Sequence, residues 1–193
     1  MPTKQRNSVP ADPFLLKILS QDIDFKLLSN FDCGDPDLND FFQKDALAHH
    51  KELFATTYIL KLQEMDEQSS LPPIAAISFN NDLIKLSNID KEKFLPEAKA
   101  KYKYSPAVKI ARLGVFKAYQ NKNLGTYILN LTKQLFVTDN RTGCRFLTVD
   151  AYNKPNVIRF YRKNDFSFLH DKDQKRQTRI MYFDLKRFID NAI

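Results

Sequence analysis

The chain has 193 residues, 43% of them hydrophobic and including 16 Phe and 8 Tyr, enough for one domain of ordinary size with a real core. Its formal net charge of +7 favours anionic partners such as nucleotides or RNA. Cys33 and Cys144 stand far apart without metal-ligand spacing, the start MPTKQRNSVPADP has no apolar signal core, and no apolar run approaches a membrane span; the expectation is a cytoplasmic protein with no metal, no disulfide framework and no membrane partner.

Residues 1–13 are polar, without periodicity, and read as a flexible N-terminus; residues 14–193 read as a single domain. Leu15–Ser20 has strand character. Asp35 is a good N-cap and Pro36 suits the first helical position, so a helix is predicted from there to near Leu53, with Leu38, Phe41, Phe42, Ala46 and His49 on one face. Phe54–Leu62 and Ile74–Phe79 are β-rich and predict a hairpin across EMDEQSSLPP. The lysine-rich stretch 80–106 reads as part helix and part loop. Ala107–Phe116 is a central strand, apolar on both faces apart from Lys109 and Arg112. Leu124, Ile128, Leu131 and Leu135 then recur at helical spacing. Cys144–Tyr152 is a second buried strand, Asn156–Asn164 a helix begun by Pro155, and FSFLH with TRIMYFDL a closing strand pair. The order is mixed α and β around a central strand–helix–strand unit.

The junction AYQNKNLGTYIL follows the central strand. A helix N-terminus offers unpaired N–H groups and a positive dipole end, which together make a phosphate site if the preceding turn can curl. Glycine curls most readily, and asparagine is the next best residue for left-handed backbone. Asn123 can therefore stand where glycine is usual, and Lys122 adds a cation. The spacing Gln120-x-x-Asn123-x-Gly125 resembles the acetyl-CoA pyrophosphate loop of the GNAT N-acetyltransferases, with Asn123 in place of the first family glycine. The preceding RLGV resembles the family strand whose edge binds pantetheine. A glycine inside a strand marks a bulge or a close backbone approach, and Gly114 holds that place.

The segment NKPNVIRFYRKNDFSF is a second point of resemblance, to the family pattern N-x-x-A-x-x-F-Y-x-x-x-G-F. Phe160, Tyr161 and Phe166 match; Asp165 replaces the usual glycine, and the upstream asparagine is either Asn153 or Asn156. A third segment, FDCGDPDLNDFFQKDA, resembles the first helix of the GNAT toxins of toxin–antitoxin modules and of their free-standing relatives.

The resemblance implies an α/β (α+β) GNAT fold: a mixed, mostly antiparallel sheet with a splayed parallel strand pair at its centre and flanking helices. It implies acetyl-CoA as cosubstrate and direct acetyl transfer to a primary amine. Leu113, Gly114 and Val115 would hold pantetheine, with the Val115 N–H facing the oxyanion. The backbone of Gln120, Asn121, Lys122, Asn123, Leu124, Gly125 and Thr126 would hold pyrophosphate, and Asn153 or Asn156 would complete the cofactor site. Tyr161 would be the acid that protonates the departing thiolate, for which a phenol near pKa 10 is a good match. The base is left open among Asp150, a water and, less favoured, His49. The toxin branch implies the α-amine of aminoacyl-tRNA as acceptor, an antitoxin-like partner and a homodimer. Lys91, Lys93, Lys99, Lys101, Lys103 and Lys109, with Lys172, Lys175, Arg176 and Arg179, are candidate contacts to RNA phosphates. A free-standing acetyltransferase of a small-molecule or protein amine stays an alternative, as does a non-catalytic CoA- or RNA-binding module.

Overall fold

The computed structural model describes residues 13–63, 71–87, 101–138, 140 and 143–190. Among the described residues, seven strands form one sheet: β1 (Phe14–Ile18), β2 (Thr56–Leu62), β3 (Ala75–Ile84), β4 (Ser105–Val115), β5 (Phe146–Tyr152), β6 (Ser167–Phe168) and β7 (Thr178–Asp184). Their order is β1-β2-β3-β4-β5-β7-β6. Every neighbouring pair is antiparallel except β4–β5. That parallel pair holds only from Ala107↔Phe146 to Ile110↔Val149. Beyond it both strands continue, β4 to Val115 and β5 to Tyr152, so the sheet splits there.

The helices are α1 (Asp22–Phe25), α2 (Pro36–Asp40), α3 (Ala46–Lys51), α4 (Leu124–Thr138), α5 (Pro155–Lys163) and α6 (Leu185–Asp190). Alternation along the strands divides the core between the two faces of the sheet. Ile59 and Ala76 belong to a cluster with Phe31, Phe41, Phe42 and Ala46. Leu60 and Ile77 belong to the other, with Ile128 and Leu129 of α4 and Tyr161 of α5. Full burial of a side chain such as Phe31, Phe42 or Ile128 is worth roughly 1.5–3 kcal/mol.

Three expectations are corrected. The single helix from Asp35 is interrupted by a π turn at Phe41–Asp45, whose extra residue rotates the face that follows: Phe41, Phe42 and Ala46 stay buried, whereas His49 is exposed. β3 runs on to Ile84, because Asn80–Ile84 pair with Ser105–Lys109 although Asn and Asp are poor strand formers. FSFLH contributes only the two residues of β6. The flexible reading of residues 1–12, the turn at 64–70 and the lysines at 91, 93 and 99 lie outside the described residues.

Candidate active site

The segment Phe31–Asn39 is latched to the junction between β4 and α4. Asp35 caps α2, accepting from the Asp37 and Leu38 amides at 3.1 and 3.3 Å. Asn39 accepts the Cys33 amide at 2.8 Å and donates to Asp32 at 2.8 Å. Lys117, just past β4, donates to Asp32 at 2.7 Å. The Lys117 and Asn39 side chains and the Gly34 amide together hold the Asp32 carboxyl down to about 2. Gln120 Nε2 then bridges the carbonyls of Cys33 and Val115, at 2.7 and 3.0 Å.

Against this latch β4 must come very close. A Cβ on Gly114 would lie 3.0 Å from Phe31 Cε1 and 3.1 Å from Cys33 Sγ, both residues buried. Close approach is therefore the reason for glycine, and the bulge sits elsewhere: the β3–β4 register slips between Ser78 and Phe79, leaving Ala111 as the extra residue. The Phe116 amide donates to Ile74 at 2.9 Å on the β3 side. Successive strand amides point to opposite edges, so the N–H of Val115, and that of Leu113, faces the edge from which β5 has parted.

Asn121 and Asn123 carry φ of +60° and +58°, and Asn123 passes its carbonyl to Tyr127 N at 3.0 Å as α4 begins. The left-handed turn is thus made by two asparagines rather than glycines. Lys122 is exposed, its Nζ 5.5 Å from the Tyr119 ring centroid. Gly125 is required for another reason, since a Cβ there would meet Phe160 Cε2 at 2.9 Å.

At the other wall, α5 ends in a capped turn. Asp165 holds φ +67°, its amide bonds Arg162 O at 3.1 Å, and the Phe166 amide bonds Tyr161 O at 3.1 Å. This is a Schellman arrangement, with the Phe166 and Tyr161 rings packed at 5.4 Å as its apolar contact. It fixes Tyr161 in place. Tyr161 is 6% exposed, its ring packed between those of Phe160 and Phe166 at 5.0 and 5.4 Å. Burial pushes its pKa well above the usual tyrosine range, so the phenol stays protonated.

A cavity of about 650 Å³ opens at the split between β4 and β5. Leu113, Gly114, Val115, Gln120, Gly125, Asn156 and Tyr161 all line it. Asn121, Lys122, Asn123, Leu124 and Thr126 form the adjoining turn and helix start without lining it. Asn153 is occupied otherwise: its Nδ2 donates to the carbonyls of Gln174 and Arg176, at 2.9 and 3.0 Å. Of the two candidate asparagines, Asn156 is the one at the cavity.

Asp150 lines the cavity but pairs with Lys109 at 3.0 Å. His49 and His50 pack on Phe41 and Phe25 and do not line it. Two of the candidate RNA-facing cations are also taken up: Lys109 by Asp150, and Arg179, 9% exposed, by Asp173 at 3.0 Å beneath the Phe168 ring. Cys33 is buried, and burial raises its thiol pKa, which suits a packing residue and not a nucleophile.

Asp37, Asn80, Arg112 and Tyr152, none of them a site candidate by sequence, also line the cavity. Tyr152 donates to Asp37 at 2.9 Å. Asn80 Oδ1 and Arg112 Nε are buried and find no hydrogen-bond partner among the described residues. The available signal was Arg112 itself, a polar interruption in an otherwise apolar central strand.

No family model and no curated protein matches the sequence. Solved structures do. A tyrosine-to-phenylalanine mutant of KacT superposes with a TM-score of 0.75 at 17% identity, over 94% of this chain and 100% of that one. AtaT complexed with acetyl-methionyl-tRNAfMet gives 0.72 at 20%, over 93% and 99%. AtaTR bound with acetyl-CoA gives 0.69 at 18%, over 94% and 99%. These neighbours are GNAT toxins of toxin–antitoxin modules. The split parallel pair in a mostly antiparallel sheet, the flanking helices and these superpositions together give the chain the GNAT fold.

Proposed function

We propose that the protein is an acetyl-CoA-dependent N-acetyltransferase that passes acetyl directly to a primary amine, the α-amine of an aminoacyl-tRNA. The observation that carries this reading is the convergence of three features on one cavity: the edge of β4 that β5 leaves beyond Ile110, the left-handed turn before α4, and Tyr161 in the cavity wall. The residues suit acetyl-CoA as substrate. The β4 edge at Leu113–Val115 offers strand-like pairing to pantetheine, and the turn from Gln120 to Thr126 leads its amides into a helix N-terminus for pyrophosphate.

In the reaction the amine lone pair attacks the thioester carbonyl. The Val115 N–H faces the oxyanion that forms. The C–S bond then breaks, its electrons stay on sulfur, and the Tyr161 hydroxyl supplies the proton. The amine gives up its own proton to solvent, and the phenolate recovers one, leaving the amide and the free thiol. No acyl-enzyme forms. An α-amine is half unprotonated at its pKa of about 7.7–8.0, whereas lysine reaches that point only near 10.4, so a cavity whose described carboxylates, Asp35, Asp37 and Asp150, are already bonded suits the former.

The complexes of AtaT with acetyl-methionyl-tRNAfMet, acetyl-CoA and the C-terminus of the antitoxin AtaR support the kinds of partner proposed here: acetyl-CoA, charged tRNA and an antitoxin-like protein. A homodimer, a single domain over residues 14–193 and a cytoplasmic setting belong to the same proposal. Calorimetry with acetyl-CoA tests the reading: saturable one-site binding with turnover on an amine pool is expected. Absence of binding would overturn it, and binding without turnover would make the protein a CoA-binding module.

A further inference from the structure

Tyr152 and Asp37 join opposite walls of the cavity. Both line it, and the Tyr152 hydroxyl donates to Asp37 Oδ2 at 2.9 Å, linking the end of β5 to α2. Continuing the parallel register past Ile110↔Val149 sets Tyr152 about level with Leu113 across the split. Leu113 is one strand repeat, roughly 6.6 Å, from Val115. Asp37 lies over the same stretch of β4, its Oδ2 4.0 Å from Arg112 Nε. The pair therefore sits beside the two β4 amides that face the split.

Tyr152 and Tyr161 approach the split from opposite faces of the sheet. Val149 and Ala151 pack in the cluster that holds Tyr161, together with side chains of α4 and α5. Strand side chains alternate, so Tyr152 turns to the other face, where Leu38 of α2 joins the second cluster. Among the described residues α4 and α5 fill the Tyr161 side, which leaves the α2 side for an acceptor. Asp150 shares that face, but it stands one strand repeat further back along β5 and pairs with Lys109 at 3.0 Å. Asp37 is bonded through the Tyr152 hydroxyl, and a phenol that donates to one partner still offers its oxygen lone pair to another. Burial and the Asp37 carboxylate raise the Tyr152 pKa, so the phenol holds its proton at neutral pH.

We propose that Tyr152 and Asp37 form the proton relay for the acceptor amine. The proposal rests on the acetyltransferase reading and supplies the route by which the amine's proton reaches solvent. Once nitrogen has bonded to the acyl carbon it carries a positive charge. Its N–H proton moves to Tyr152 Oη as the phenol proton moves to Asp37 Oδ2. Nitrogen becomes neutral, the phenol ends as it began, and Asp37 becomes a carboxylic acid. The Asp37 side chain is 59% exposed and hands the proton to water. Tyr161 thus serves sulfur from one face while Tyr152 serves nitrogen from the other. A carboxylate reached through a phenol is a weak base, which serves an α-amine better than lysine.

The test uses the full chain, acetyl-CoA and whichever acceptor the parent acetylates fastest among charged tRNA and small primary amines. Tyr152→Phe removes the middle of the relay. Asp37→Asn leaves a carbonyl oxygen for the Tyr152 hydroxyl to bond, so the bridge holds while proton acceptance is lost. Each variant should lower kcat ~tenfold or more, with the acetyl-CoA Kd within about twofold and the melting temperature unchanged. The double variant should be no slower than the slower single one, because the two residues act as a unit. An Asp37→Asn variant with the parent's kcat would overturn the relay and leave only a structural bridge. Parental kcat in Tyr152→Phe, losses that multiply in the double variant, or loss of acetyl-CoA binding in either single variant would overturn it as well. If the parent acetylates none of these acceptors, the acetyltransferase reading fails and the relay with it; an active parent with unaffected variants sinks the relay alone.

Discussion

Substitution at Asn123 separates a phosphate-binding turn from an ordinary one. Asn123 is exposed and holds φ +58°, so a change there acts on the backbone and removes no packing. Left-handed backbone costs an ordinary L-residue roughly 1–2 kcal/mol, and asparagine less. Asn123→Ala should therefore raise the energy of the bound turn by about 1 kcal/mol. Where the turn relaxes without unfolding the protein, that cost reaches the ligand as about fivefold weaker acetyl-CoA binding. Asn123→Gly adopts the conformation freely and should bind within about twofold of the parent. Asn123→Pro is locked near φ −65°, cannot form the turn, and should lose binding. Isothermal titration with acetyl-CoA reads all three, and a thermal melt of each variant checks that the fold persists. Alanine and proline variants that bind like the parent would show that the amides of this turn do not meet the pyrophosphate.

Two further expectations concern the walls of the cavity. Because Tyr161→Phe keeps the ring that packs on Phe160 and Phe166, it should leave stability within about 1 kcal/mol and acetyl-CoA affinity intact, while kcat falls by about 10²–10⁴; an unchanged kcat would remove the acid role. Burial raises the Tyr161 pKa above its ordinary value near 10, so the protonated acid persists throughout the range below that value. The rate should then rise with pH through the acceptor amine, about 7.7–8.0 for an α-amine, with no alkaline fall below about 10. A decline setting in below pH 9 would contradict this. Gly114→Ala should lower stability by about 1–3 kcal/mol in a denaturant titration, since its Cβ would press on buried Phe31 and Cys33; a midpoint equal to the parent's would refute the close-approach explanation.

Much of the site could be read from the sequence because its parts are local. A turn must curl before a helix, so Asn123 stood out as a residue able to take positive φ, and the resemblance marked Asp165, in place of a family glycine, in the same way; both hold it. The second left-handed residue of the turn, Asn121, did not stand out, because nothing in QNKN distinguishes its conformation from that of Lys122. The features that escaped depend on the partner strand or on packing. Asn80–Ile84 reads as loop by propensity, yet pairing with Ser105–Lys109 makes it strand, and that pairing carries Asn80 to the cavity. Arg179 counts as a surface cation until β7 buries it against Asp173. The π turn at Phe41–Asp45 leaves a helical sequence pattern nearly intact while turning His49 out to solvent. Gly114 was legible as special, but the bulge and the close approach are separate events, at Ala111 and Gly114, and only the register distinguishes them.

The most direct measurement offers labelled acetyl-CoA to total charged tRNA, deacylated tRNA and a panel of small amines in parallel. Label on charged tRNA alone, released as an N-acetylated amino acid when the ester is hydrolysed, is the expected result. Label on the small amines or on protein instead, or on no acceptor at all, would contradict the proposed function.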